Sequence, residues 1–243
     1  MWWSDLFTDM NPTDFFNFSF LPKYGTAFVR GIEYTLLLAV VSVLLAILPA
    51  LGLALMRLSR KKPVRWLSGA YIAVFRSTPM LVQLSIIYYG LFYAISLPRL
   101  TLFGFVDISR FIPGVVALAL NSSAYVAEIF RAGIQSIEIG QMRAGLSLGM
   151  TWGQTMRYII LPQAFKRIIP PLGNEFIAML KDSSLVSVIG FEELTRTGQL
   201  IIAETYGSLE IWTSVAIIYL VMTLTITRLV SRLEKKFKAS DAR

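Results

Sequence analysis

The sequence predicts an all-α membrane protein with five transmembrane helices. Of its 243 residues 55% are hydrophobic and only 16% are charged, and the mean hydropathy is +0.62. A soluble domain of ordinary composition carries about 25% charged residues, so this chain has too few charges to cover a globular surface in water. Weakly charged stretches near the ~20 residues that cross a bilayer as a helix recur along the chain.

Five such stretches follow one another. Four contain no charged residue, whereas the stretch 168–191 is interrupted by Glu175, Lys181 and Asp182. Charged side chains are costly inside a bilayer, so we expect this interruption to mark a functional region. The uncharged stretches are 35–56, 77–97, 111–127 and 211–227.

The distribution of positive charge predicts the orientation. Basic clusters lie in 57–65, 131–167 and 228–243, whereas 192–210 contains four glutamates and a single arginine. By the positive-inside rule the basic segments are cytoplasmic, which five spans permit and four or six do not. We therefore expect a multi-pass protein of a bacterial cytoplasmic (inner) membrane, with its N-terminus outside and its C-terminus inside. The net charge of +8 is then explained by basic segments at the cytoplasmic face of the membrane, and no nucleic-acid partner is expected.

Three regions are predicted on this basis. Residues 1–26 combine aspartates, prolines and aromatic side chains without the basic and apolar order of a signal peptide, so we expect an extracytoplasmic interfacial segment. Residues 27–235 form the membrane domain, and 236–243 form a cytoplasmic tail. The aromatic residues expected at headgroup depth are Trp2, Trp3, Phe15, Phe16, Phe18 and Phe20.

Most enzyme classes are excluded by composition. The chain contains no cysteine and no histidine, so it lacks disulfides, a thiol nucleophile, the usual zinc and haem ligands and a Ser-His-Asp arrangement. It also lacks the G-x-x-x-x-G-K-[ST] phosphate-binding loop. We expect no catalytic residues, no metal and no cofactor.

The cytoplasmic link at about 138–165 has the pattern of a docking element. At a helical period Met142, Leu146, Gly149 and Met150 share one face, and Gly149 permits a tight turn. Residues 154–160 are predicted to form a second short helix that ends at Pro162. An apolar face on a cytoplasmic loop needs a partner protein.

This link resembles the "EAA" loop of the permease subunits of ATP-binding-cassette importers. The family pattern is E-A-A, three residues, G, nine residues, I-x-L-P, and here Arg143-Ala144-Gly145, Gly149, Ile159 and Leu161-Pro162 stand in that register. The stretches 75–83, 124–134, 174–177 and 180–185 also resemble the branch that imports polar amino acids of the histidine, glutamine, glutamate and arginine type. The resemblance covers roughly 34–232.

The resemblance implies a type I importer permease fold with a cytoplasmic coupling helix. It implies three kinds of partner: a cytoplasmic ATPase dimer that binds ATP, a second permease, and an external amino-acid-binding protein. Arg143 replaces the glutamate of the family, so we expect a non-identical second permease that keeps the acid. Two alternatives are a homodimer and a change of one exposed charge that has no functional effect. The coupling residues are Gly140, Arg143, Ala144, Gly145, Gly149, Met150, Leu161 and Pro162.

Four residues are candidates for substrate binding. Glu175 and Asp182 lie two helical turns apart and face the same way, which suits a ligand with amino groups. Thr78 precedes Pro79 at a possible cavity-lining break, and Asn121 lies deep in the third span. Structural alternatives are an ion pair for Glu175, a helix start at Asp182, a plain kink at Pro79 and helix packing for Asn121.

Two other functions compete with ATP-driven import of a polar amino acid. An ion-coupled secondary transporter would use both carboxylates, but such folds usually contain internal repeats, which this sequence lacks. A membrane scaffold would not need paired carboxylates inside a span. The sequence does not identify the transported amino acid.

Overall fold

The computed structural model describes residues 18–19, 21–95, 100–102 and 106–241, and most of them are helical. The predicted interfacial segment lies largely outside this range. The helices are α1 (Gly25–Leu58), α2 (Lys62–Ser77), α3 (Met80–Ile95), α4 (Ile108–Gln135), α5 (Ile139–Ser147), α6 (Trp152–Thr155), α7 (Leu161–Asp182), α8 (Leu194–Thr205) and α9 (Ser208–Asp241).

Shorter elements complete the chain. A 3₁₀-helix, Leu21–Tyr24, precedes α1, and another, Ser183–Ile189, follows α7. An antiparallel pair, Thr101–Leu102 with Val106–Asp107, precedes α4 and is the one departure from the all-α prediction in the described chain. Asp107 caps α4, because its Oδ1 accepts from the Ser109 N–H at 2.9 Å.

Three of the five predicted spans correspond to helices that are long and apolar enough to cross a membrane, within Leu21–Leu58, Ile108–Gln135 and Ser208–Lys235. The helices α2 and α3 are bent by 105° and form a fourth if they count as one span. The predicted fourth span corresponds to α7 and the 3₁₀-helix after it. Because α7 carries five charged residues, it lacks the apolar composition of the others, and five spans stay a prediction.

The expected helix end at Pro162 is wrong. Helical structure continues from α6 through a π-helical turn, Met156–Ile160, into α7. The Leu161 N–H donates to the Met156 carbonyl five residues back, and Pro162 stands in the first turn of α7, where a missing N–H is tolerated.

The core lies where α1 packs lengthwise along α4 and both contact α7. Leu38, Leu84, Leu118, Leu180 and Val186 are fully buried in its largest cluster. A second cluster forms where α8 packs against α1 and α9 around Phe28, Leu194 and Ile211. It adjoins the first cluster, because Tyr219 and Met222 pack against both.

Candidate functional site

A cavity of about 550 Å³ lies between α2, α4 and α7. Two arginines and two glutamates give it both signs of charge: one arginine comes from α2, one glutamate from α4, and the other pair from α7. Gly133 lets α4 pack closely on α7 at the edge of the cavity, because a Cβ there would lie 2.3 Å from Ile168 Cγ1. The lining residues are Arg76, Tyr125, Glu128, Ile129, Ala132, Gly133, Ser136, Arg167, Pro171 and Glu175.

Glu175 is the predicted site residue that the structure places on the cavity wall. Its Oε1 accepts from the Ser122 hydroxyl at 2.8 Å, across the α4–α7 contact. Within the described residues it has no cation within ion-pair distance, so the expected structural alternative, an ion pair with a neighbouring helix, is absent there. Its carboxylate retains capacity to bind a cationic group.

The cavity's arginines come from two different helices. Arg76 ends α2, and its Cζ lies 5.2 Å from the centre of the Tyr125 ring, a cation–π distance. Arg167 on α7 donates from Nη1 to the Ser136 carbonyl at 2.5 Å. Neither arginine was predicted from the sequence to be a site residue. The available signal for Arg76 was its position immediately before the uncharged stretch 77–97.

Glu128 is the second carboxylate of the cavity and is already paired. Arg131 donates to its Oε2 from Nη2 at 2.6 Å and from Nε at 2.9 Å, a local pair between residues three apart on one helix. Arg57, at the end of α1, places its Nε 3.5 Å from Oε1. Glu128 therefore ties α1 to α4 at this end of the cavity.

The bend between α2 and α3 falls at the predicted Thr78-Pro79 break, and Gln83 braces it. The Gln83 Nε2 donates to the Phe75 carbonyl at 2.8 Å and to Thr78 Oγ1 at 2.7 Å. Its Oε1 accepts from Asn121 Nδ2 at 2.8 Å. Thr78 and Asn121 thus belong to one network outside the cavity lining, and their substrate-binding role stays a prediction.

Asp182 is the last residue of α7 and is also absent from the cavity lining. Its side chain makes no capping hydrogen bond to the 3₁₀-helix that follows, and helical backbone continues through it. A helix does start after Asp182, as the structural alternative expected, but the Asp182 side chain does not cap it. The structure places Glu175 and Asp182 on one helix but does not bring both into this cavity.

The cytoplasmic link folds as α5, a turn and α6. Gly149 has a φ of +81° in the turn, as the prediction of a tight turn requires. Thr151 and Gln154 form a capping box that begins α6. Gly140, Arg143, Ala144 and Leu146 are exposed on α5, whereas Met142 packs inward beside Ile137 and Ile160, so the predicted apolar face is divided.

Gly145 replaces an alanine of the family pattern for a steric reason. A Cβ at Gly145 would lie 2.6 Å from Thr155 Cγ2, closer than real contacts allow. Thr155 is fully buried and donates to the Thr151 carbonyl at 3.1 Å. The glycine therefore lets α5 pack directly on α6. Arg143 makes no comparable contact within the described chain, and the structure gives no reason for its charge.

Residues 42–239 match the family of binding-protein-dependent transport system inner membrane components. The chain belongs to this family. The permease is 40% identical over 213 residues to the arginine transport system permease protein ArtQ of Bacillus subtilis (strain 168), covering 88% of this chain and 93% of ArtQ. It is 45% identical over 168 residues to the glutamine transport system permease protein GlnP of Escherichia coli (strain K12), covering 69% and 73% of the two chains.

Solved structures agree with this assignment. A crystal structure of an amino acid ABC transporter with histidines superposes with a TM-score of 0.82 at 47% identity, covering 90% of this permease and 98% of that chain. The MetNI methionine ABC transporter has the same fold, with a TM-score of 0.75 at 17% identity over 88% and 98% of the chains. The resemblance to permease subunits of amino acid ABC importers is thereby confirmed.

Proposed function

We propose that this permease lines the path by which a polar amino acid crosses the membrane, and that the cavity between α2, α4 and α7 is part of that path. The mixed charge of the cavity carries the proposal. A free amino acid presents an ammonium and a carboxylate, and Glu175 faces the same space as Arg76 and Arg167. Arginine and glutamine, the substrates in the names of two relatives, both have these groups.

ATP hydrolysis is assigned to separate cytoplasmic subunits. Leu146 and Leu148, at and beyond the end of α5, and Trp152 on α6 are 45%, 82% and 59% exposed, which suits a docking surface for an ATPase. Arg143 on the same helix would meet an acidic patch of that ATPase. A binding protein outside the cell would deliver the amino acid.

The pore is completed by a second permease in this proposal. We favour a non-identical partner that keeps the family's glutamate at the position in its own loop that corresponds to Arg143, and a homodimer is the alternative. The membrane domain would cross five times, with α7 as the fourth span shielded by the partner, because its charges suit a pore and not lipid. The N-terminus would lie outside and the basic C-terminal helix end inside.

Uptake by a Glu175→Gln variant tests the role of the cavity. Glutamine still accepts from Ser122 but loses the negative charge, so we expect uptake to fall at least about tenfold or to change selectivity, the usual effect of losing one charged hydrogen bond. The measurement is ATP-driven uptake in proteoliposomes containing the assembled transporter.

Glu192→Gln is the matched control, because Glu192 is exposed and the charge change is the same. It should leave uptake unchanged. If Glu175→Gln transports with unaltered rate, affinity and selectivity, Glu175 is not in the path. Uptake that continues without the ATPase and collapses with the ion gradient would support the secondary transporter instead.

A further inference from the structure

A groove of about 500 Å³ lies between the end of α1 and α2 and shares no lining residue with the cavity. We call it the basic groove. Its floor is made of small residues, and a Cβ at Gly69 would lie 3.1 Å from Arg57 Nη1, so that guanidinium lies directly against the helix. The lining residues are Arg57, Lys62, Arg65, Trp66, Gly69, Ala70 and Ala73.

The positive charge of the basic groove is only partly neutralised by the described part of the protein. Residues 57–76 contain six lysines and arginines and no carboxylate. In the part of the chain that the structure describes, Lys62 and Arg65 form no ion pair, and Arg57 has one partner, Glu128, at 3.5 Å. The groove is therefore complementary to an anion.

A second opening of about 490 Å³ adjoins the basic groove, and Ala70 lines both. We call it the apolar cleft. It contains no charged side chain, so its occupant must be apolar. The lining residues are Leu53, Met56, Leu67, Ser68, Ala70, Tyr71, Val74 and Phe75.

We propose that the basic groove and the apolar cleft together bind one anionic glycerophospholipid. Its phosphate would contact Arg57, Lys62 and Arg65, and an acyl chain would lie in the cleft. An inorganic phosphate would fill only the groove, and a neutral lipid would leave the cations uncompensated. A basic pocket beside a membrane helix is the kind of site at which anionic headgroups bind.

The position of the basic groove at the end of a membrane-spanning helix supports a lipid over a soluble anion as its occupant. The apolar span of α1 ends at Leu58, so the basic groove lies at the boundary between hydrocarbon and headgroups. Trp66 is 74% exposed at this level, as is usual for tryptophan at a membrane interface. The groove and the cleft thus match the order of polar head and apolar chain in a phospholipid.

Trp66 provides the probe for the test. The complete transporter is reconstituted in phosphatidylcholine vesicles that contain phosphatidylglycerol brominated on its acyl chains, and quenching of tryptophan fluorescence is measured. The Trp66 signal is the difference between the natural chain and a Trp66→Phe variant. We expect half-quenching at a lower mole fraction of brominated phosphatidylglycerol than of brominated phosphatidylcholine.

Three variants separate binding in the groove from general charge attraction. The double variant Lys62→Gln, Arg65→Gln should reduce the preference for phosphatidylglycerol by about fivefold per charge. Its control, Arg228→Gln, Arg232→Gln, removes the same charge from exposed positions on α9 and should not change the preference. Ala73→Leu, which fills the groove and keeps every charge, should also reduce it.

Four results would overturn the proposal. The first is equal quenching by the two brominated lipids, and the second is an equal effect of the two double variants on the preference. The third is displacement of the brominated lipid by inorganic phosphate alone. The fourth is a Lys62→Gln, Arg65→Gln variant that keeps its quenching but loses the second permease on purification. The third would indicate a simple anion site, and the fourth a contact between subunits.

Discussion

Two glutamates lie in different regions of this permease and are bound in different ways. Glu193 is fully buried where α8 packs on α1 and α9. It accepts from the N–H groups of Thr195 at 2.9 Å and Arg196 at 2.8 Å and from the Tyr219 hydroxyl at 2.9 Å. Glu175 is only partly buried and faces a cavity. The first carboxylate is occupied by the protein, whereas the second has room for a ligand.

The comparison teaches that burial alone does not mark a functional acid. Within the described chain Ser122 is the hydrogen-bond donor to Glu175, and the cavity that Glu175 faces is also lined by Arg76 and Arg167. Burial raises the pKa of Glu193 to about 7, even though its three donors oppose the rise. A buried acid whose acceptor positions are filled by backbone N–H groups is a helix cap, and one with open positions can bind substrate.

Truncating Glu193, which caps α8, should reduce the stability of the permease more than the other substitutions. Glu193→Ala leaves two buried N–H groups and a phenol without their acceptor, so we expect a loss of about 4 kcal/mol in the free energy of unfolding. Glu175→Ala removes one hydrogen bond and should cost about 1 kcal/mol. Thermal and denaturant unfolding of the purified permease measures both. Similar losses for the two variants would remove the distinction between a structural and a functional glutamate.

The raised pKa of Glu193 makes stability depend on pH. Because the pKa rises from 4.5 to about 7 on folding, the folded state holds this proton more tightly than the unfolded state. The resulting stability is fully present below pH 4.5 and is lost as the pH rises through 7, a change on the order of 3 kcal/mol.

The Glu193→Gln variant isolates this dependence. Glutamine does not titrate, so the difference in unfolding free energy between the natural chain and the variant should fall with rising pH between 4.5 and 7 and then level off. Unfolding at a series of pH values measures it. A difference that grows with pH over this interval would mean that the ionised carboxylate is the form favoured by the fold.

Much of the fold could be predicted from the sequence because apolar stretches of membrane length are a strong signal. The uncharged stretches 35–56, 111–127 and 211–227 lie within α1, α4 and α9. The helix end at Pro162 was mispredicted because a π-helical turn removes the need for the proline N–H. The charged α7 could not be classified by composition, because five charged residues remove the apolar signal on which a span is recognised.

The site was less predictable because it depends on contacts between distant segments. Glu175 was selected from its position inside an apolar stretch, but Arg76 and Arg167 reach the same cavity from residues 99 and 8 positions away. Glu193 was read only as one acid of an extracytoplasmic link. Its burial follows from the packing of α8 between α1 and α9, which no local pattern indicates.

The smallest expected effect tests whether Glu175 really is available to a ligand. Ser122→Ala removes its hydrogen-bond donor and leaves the charge, so we expect about 1 kcal/mol less stability and a small change in uptake, with the affinity for the amino acid retained. Ser123→Ala, at the neighbouring buried serine that bonds Tyr71, is the control for helix packing. If Ser122→Ala abolishes uptake as fully as Glu175→Gln, the serine and the glutamate act as one unit. The open carboxylate would then be held by the protein in much the same way as Glu193.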